Sequence, residues 1–145
     1  MKKIIFIIVS LFTFSTFASY AQCGDDVMKQ ALKEMGNAQY LKDFSVDLVK
    51  VKKDVKTVGV QFSVVLNSKS VYSFNVVNGS ANSDQLIMQL YDGDKLLGSN
   101  FDSGKFYKAF QVSIGTTKVY KLVFSFRGGE EGCGKAVMSL VNQGQ

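Results

Sequence analysis

Oxygen-bearing side chains gathered in loops are the residues of this chain that come closest to a chemical site. Asp92 and Asp94 flank Gly93, and Asn100 and Asp102 follow in the next loop. Calcium takes about six to eight oxygen ligands from loops of this kind, which makes these four its candidates. The stretch lacks the D-x-[DN]-x-[DN]-G-x5-E run of an EF-hand, and Asp-Gly is also a common tight-turn dipeptide. Asp92 and Asp94 are therefore expected to form a turn, and no metal or cofactor is expected. Glu130 and Glu131 are the other carboxylate pair, in a glycine-rich loop where charge serves solubility. Acid–base and nucleophilic catalysis usually draw on histidine or on a carboxylate pair set in a cleft. The chain has no histidine, so no catalytic residue is assigned and an enzyme is not expected.

The cysteines number two, Cys23 and Cys133. Two thiols are too few for a structural zinc site, and a catalytic thiol would lack its histidine. In an oxidising compartment the simplest reading is one disulfide between them. It would close a loop on the order of 100 residues, worth about 4–5 kcal/mol in the chain-entropy picture before native strain.

Twelve Phe and six Tyr stand beside no Trp. Tyr91, Phe101, Phe106 and Tyr107 lie near turns and off the cleanest inward registers. If closure of the hairpin at Gly93 brings them to one end of the domain, they form a surface for a protein partner or for stacking on a glycan. Covering the edge of the core is the other role open to them.

The start of the chain is expected to direct it out of the cell. Lys2 and Lys3 precede an apolar run from Ile4 to Phe17, and Ser19-Tyr20-Ala21 fits a cleavage site, as in a secretory signal peptide over residues 1–21. The apolar run is shorter than the roughly 20 residues of a spanning helix, so no membrane span is expected after cleavage. Tyr20 and Gln22 fit poorly the positions that a lipobox before Cys23 would fill. The formal charge of +5 falls to +3 when Lys2 and Lys3 leave, since no acidic residue leaves with them. Lys50, Lys52, Lys53 and Lys56 cluster around Asp54 without interleaved aromatics, which reads as a solvated turn rather than a nucleic-acid site.

Residues 22–145 are expected to form one domain. Asp25 and Asp26 suit a first helical turn, Val27, Met28, Ala31, Leu32 and Met35 recur at helical spacing, and Gly36-Asn37 stops the run. Strand patterns follow over 45–51, 58–66 and 71–77, the last two expected to pair as a hairpin. Leu86, Met88 and Leu90 alternate with Gln85, Ile87, Gln89 and Tyr91, and after the Asp92–Asp94 turn Leu96 and Leu97 resume the sheet, giving a hairpin at the middle of the domain. Further strands are expected from Phe106 to Ile114, around Tyr120 to Phe126, and over 135–141, with Arg127 to Gly134 as a loop. About eight short strands, one leading amphipathic helix and no proline predict an antiparallel β-sandwich of the jelly-roll kind.

The order Tyr72, Phe74, Val76, then Leu86 to Leu90 with Asp92-Gly93-Asp94 and Leu96-Leu97, then Tyr120, Leu122, Phe124, resembles the bacterial pre-peptidase C-terminal type of β-sandwich over roughly residues 57 to 141. The whole chain, with its Ala21-Gln22 junction, is also similar to small exported proteins of unassigned function from Bacteroidota. Neither resemblance implies catalysis; members of the first family are usually accessory modules for binding or stabilisation. The expected function is an exported, periplasmic or secreted, non-enzymatic binding or structural module with a protein partner. A carbohydrate-binding module and a calcium-stabilised accessory domain are the alternatives.

Overall fold

A computed structural model describes residues 24–48, 59–79, 85–127 and 132–143. The leader, Cys23, the lysine cluster with Asp54, and Glu130 and Glu131 lie outside the described residues. The order is α1 Asp25–Met35, β1 Gln39–Leu48, β2 Val60–Leu66, β3 Ser70–Asn78, β4 Leu86–Asp92, β5 Lys95–Ser99, β6 Phe101–Asp102, β7 Lys105–Phe106, β8 Ala109–Ile114, β9 Lys118–Phe126 and β10 Gly132–Gln143.

Two four-stranded sheets face each other. One has the order β1-β10-β3-β8, the other β2-β9-β4-β5, and β6-β7 is a separate ribbon. Every pairing is antiparallel. The partners are nested: β1 with β10, β2 with β9, β3 with β8, and β4 with β5 at the tip. The chain is thus one long hairpin folded over on itself, which is the jelly-roll arrangement.

Period-two alternation turns one side of each strand into the space between the sheets. Leu86, Met88 and Leu90 of β4, Leu122 and Phe124 of β9, Phe74 and Val76 of β3, and Ala136 and Met138 of β10 meet there and are buried. Phe44, Phe62 and Phe124 touch one another across the layers, with ring centroids 5.2–5.7 Å apart. Each of these side chains larger than alanine contributes about 1.5–3 kcal/mol when removed from water.

α1 lies on the outer face of the first sheet. Val27 and Ala31 pack against Val77 of β3 and Val137 of β10, with Met28 and Met35 alongside. Leu32, expected in the same stripe, is instead 39% exposed. Asn75 Nδ2 donates to the Glu34 carbonyl at 3.2 Å, satisfying one of the acceptors left over at the helix C-terminus. Gly36, with φ +65°, ends the helix in a conformation that side chains disfavour. β3 and β10 are consequently covered on both faces, which explains the continuous apolar run at Val76-Val77.

β1 begins at Gln39 rather than at residue 45, and three further local expectations change. β2 and β3 do not pair; they lie in opposite sheets. The intervening turn is held instead by Asn67 N donating to the Tyr72 hydroxyl at 2.9 Å, Ser68 N to Thr117 Oγ1 at 2.8 Å and Lys69 N to the Ile114 carbonyl at 2.8 Å. The run Phe106 to Ile114 is interrupted, because Ser103 and Gly104, both with positive φ, close the β6–β7 ribbon before β8 begins. And β10 starts at Gly132 rather than at residue 135. A Cβ at Gly134 would stand 2.6 Å from Leu86 Cδ2 and 3.1 Å from the Val77 carbonyl, so this glycine is a strand position that a neighbour fills, not loop punctuation.

Candidate functional site

The β6–β7 ribbon leaves the sandwich because Asn100 anchors its base. β5 ends at Ser99, and Asn100 then replaces a strand with its own side chain: Oδ1 accepts from Met88 N at 2.7 Å and Nδ2 donates to the Leu86 carbonyl at 2.9 Å. Its backbone N donates to the Met88 carbonyl at 3.2 Å, and its carbonyl accepts from Tyr107 N at 2.8 Å. Asn100 is 2% exposed. It is a bracket between β4 and the ribbon, with both side-chain polar atoms committed, and not an open ligand for a cation.

On this bracket the ribbon presents aromatic rings with cations over them. Phe101 faces Phe106 in register, ring centroids 4.6 Å apart. The Arg127 guanidinium lies 5.9 Å from both rings, and Lys105 Nζ lies 5.3 Å from the ring of Tyr107, which is 44% exposed. These distances are within the range of cation–π attraction, about 0.5–1 kcal/mol at an exposed site. Arg127 N donates to the Gln85 carbonyl at 3.1 Å, fixing the cation at the start of β4.

Beside the ribbon runs a cleft of about 380 Å³ between α1 and the ends of β3 and β4. Gln30 and Glu34 form one wall, Phe106, Tyr107 and Lys108 the other, and Asn78 and Gln85 lie between. Lys108 Nζ pairs with Glu34 Oε1 at 3.4 Å. The arrangement offers amide donors and acceptors, two rings and one Lys–Glu ion pair. It suits recognition of an extended polar segment carrying an apolar anchor.

Of the four aromatics singled out in the sequence, Phe101, Phe106 and Tyr107 are brought together. Tyr91 is not. It sits at the opposite end of β4 from Leu86, beside the Gly93 turn, paired in register with Lys121 and Leu96, and Lys121 Nζ lies 5.4 Å from its ring. The hairpin closes as expected, but β5 runs the length of β4 before the ribbon begins, so closure separates Tyr91 from the others instead of gathering them.

The oxygen-bearing candidates are divided in the same way. Asp92 pairs with Lys118 at 2.7 Å, which holds that ammonium above its usual range through the hydrogen bond from Lys118 to the carboxylate. Asp94 is exposed in the turn. Asp102 is exposed at the other end and accepts from Ser103 Oγ at 3.2 Å. Among the described residues no three His, Cys, Asp or Glu side chains converge as metal ligands would. Cys133 is buried on the side of β10 that α1 covers; Cys23 lies outside the described residues. No described helix is long and apolar enough to cross a membrane.

Lys105, Lys108, Arg127, Gln30 and Glu34 were not singled out in the sequence. Arg127 and Glu34 reach the site from distant parts of the chain, and nothing local marks them. A local signal did exist for the ribbon: Phe101 and Phe106 are spaced symmetrically about Ser103-Gly104.

The architecture defines a jelly-roll β-sandwich with a helix on one outer face. No protein-family model matches the chain, and no curated protein matches it. Among solved structures, the chain is similar to Aeromonas hydrophila PliG, a periplasmic lysozyme inhibitor of g-type lysozyme, at 12% identity with a TM-score of 0.47, covering 72% of this chain and 88% of that one. It is also similar to the pre-peptidase C-terminal domain of collagenase from Bacillus anthracis, at 10% identity with a TM-score of 0.48, covering 70% of this chain and 90% of that one. Neither likeness carries the function of those proteins to this chain.

Proposed function

We propose that this protein is an exported, non-enzymatic β-sandwich module that binds a protein partner through the β6–β7 ribbon and the cleft beside it. The observation that carries the reading is the ribbon itself: Phe101, Phe106 and Tyr107, with Lys105 and Arg127 against their rings, held outside the sandwich by one buried asparagine. Aromatic residues and arginine are the types enriched where binding energy concentrates in protein interfaces. The cleft supports a partner over a substrate, since the one carboxylate among its described lining residues, Glu34, is already paired with Lys108. Lys105 and Arg127 at the ribbon favour an acidic segment. Export rests on residues 1–21. The Cys23–Cys133 disulfide belongs to the same proposal, supported by the face on which Cys133 lies and by the absence of a free cysteine among the described residues.

A photo-crosslinking amino acid placed at position 107, with a second variant at position 113 on β8 as a control, tests this in the exported protein. The expected result is a crosslink to one protein from position 107 alone, abolished by Arg127→Glu. Equal crosslinking from both positions, or capture of glycan without protein, would refute it.

A further inference from the structure

The last strand of a sheet has outward N–H and C=O groups without ladder partners and can receive another strand. Among the described residues the sandwich has four such edges: β1 and β8 in one sheet, β2 and β5 in the other. Three of them are guarded. β1 has a register irregularity between Tyr40 and Lys42 and carries Lys42, Asp43 and Asp47. β5 has an irregularity against Leu90 and Tyr91 and carries Lys95. β5 and β8 also close on each other: a Cβ at Gly98 of β5 would stand 2.8 Å from Phe110 and Val112 of β8.

β2 has none of these devices. It contains no charge, proline or glycine, and its register with β9 runs unbroken from Val60 opposite Phe124 to Leu66 opposite Lys118. Among the described residues no strand pairs with its other side. Val60 and Phe62 point toward the core but remain only partly buried, as expected where a sheet stops short.

We propose that β2 docks a second copy of this chain, antiparallel and two-fold symmetric about Ser63, so that the two β2-containing sheets become one. The occupant follows from the strand's own sequence. Laid antiparallel to itself about Ser63, Val60 meets Leu66 and Phe62 meets Val64 on the core side. On the outer side Gln61 meets Val65, and Ser63 meets its own copy. Every core-side pair is apolar and no like charges are opposed. A shift of one residue would set core-facing against outward-facing positions, and a shift of two would shorten the ladder, so this register is the one the strand favours. Val65 and its register neighbour Val119, 65% and 60% exposed, flank the junction with outward apolar surface. The contact is isologous and closes at two copies. A single strand edge falls at the small end of interface sizes, below about 1,000 Å², so the association is weak and depends on concentration. This interface is separate from the ribbon and stands whether or not the ribbon binds a partner.

Sedimentation of the mature chain over a concentration series up to about 1 mM reads an association of this strength. The expected result is a monomer passing to a dimer and no further. Ser63 is exposed, so Ser63→Lys and Ser63→Glu should keep the wild-type melting temperature while each dimerises at least about tenfold more weakly, because like charges meet on the axis. An equimolar mixture of the two should recover the dimer. Under mild oxidation Ser63→Cys should crosslink copy to copy, and Gln61→Cys should not. A monomer at every concentration, a dimer indifferent to both charged variants, or equal crosslinking from Gln61→Cys would overturn the proposal.

Discussion

Asn100 shows how much one side chain can hold together. It gives two backbone groups of β4 the partners a neighbouring strand would have supplied, and burial makes those partners hard to replace. Asn100→Ala should cost about 2–4 kcal/mol in chemical denaturation, since a buried donor and a buried acceptor are left unpaired. Asn100→Asp should be no better tolerated, because its carboxylate cannot donate to the Leu86 carbonyl. In the sequence this residue is one more loop oxygen, and nothing in its neighbours' types reveals that both its atoms are occupied. Tyr40 gives a second test at this scale. Its hydroxyl donates to Asp43 Oδ1 at 2.5 Å, which raises the phenol above its ordinary value. A raised folded pKa favours the fold below the unfolded value near 10, and the benefit is lost as pH rises through the higher folded value. Lys118, raised by Asp92, acts in the same direction and over the same alkaline window. Asp43→Asn should therefore move the titration of Tyr40 back down, as read by phenolate absorbance.

At the scale of elements, the ribbon separates the aromatics by burial. Tyr107 is substantially exposed, so Tyr107→Ser should change stability by no more than about 0.5 kcal/mol. Phe101 and Phe106 are half-buried against each other, and either one changed to Ser should cost about 1–2 kcal/mol, less than a core phenylalanine. Denaturation of the single variants checks this, and a loss at Tyr107 equal to that at Phe106 would mean that the ring is packed. Strand identity was legible wherever one face alternates, as in β4 and β9, and so was α1 from its spacing and its glycine stop. Which strands pair was legible at the tight β4–β5 turn but not for β2 and β3. β2 and β3 both turn apolar residues inward, so alternation alone cannot distinguish two strands side by side from two strands facing each other. The start of β10 was hidden for a different reason: glycines that make room for Leu86 and Phe126 look the same in sequence as glycines that make a turn.

For the whole molecule, the sequence reached the sandwich class because many short strands without long helices between them leave few other layers to build. The site was legible only in part, since it depends on where distant segments arrive. The remaining long-range expectation is the tie between Cys23 and Cys133. α1 runs along β10 with Glu34 near Asn75 and Val27 near Val77 and Val137, so its N-terminal end points along the face on which Cys133 lies. Non-reducing peptide mapping of the mature protein should find the two cysteines joined. Reduction should lower the stability by about 2–5 kcal/mol, and two free thiols in the untreated protein would exclude the tie.

β10 follows every other described strand in the sequence, yet it stands between β1 and β3 and carries the floor on which α1 rests. During synthesis, then, β1 emerges roughly ninety residues before β10, its ladder partner among the described residues, and half of the sandwich waits for that strand. Contacts so distant along the chain make for slow folding. They also keep the nascent polypeptide unfolded until β10 has been made, which is the state that the proposed export would need of a chain threading a narrow translocation channel. A version ending at Arg127 should accordingly show no cooperative melting at all, rather than a weakened form of the native transition.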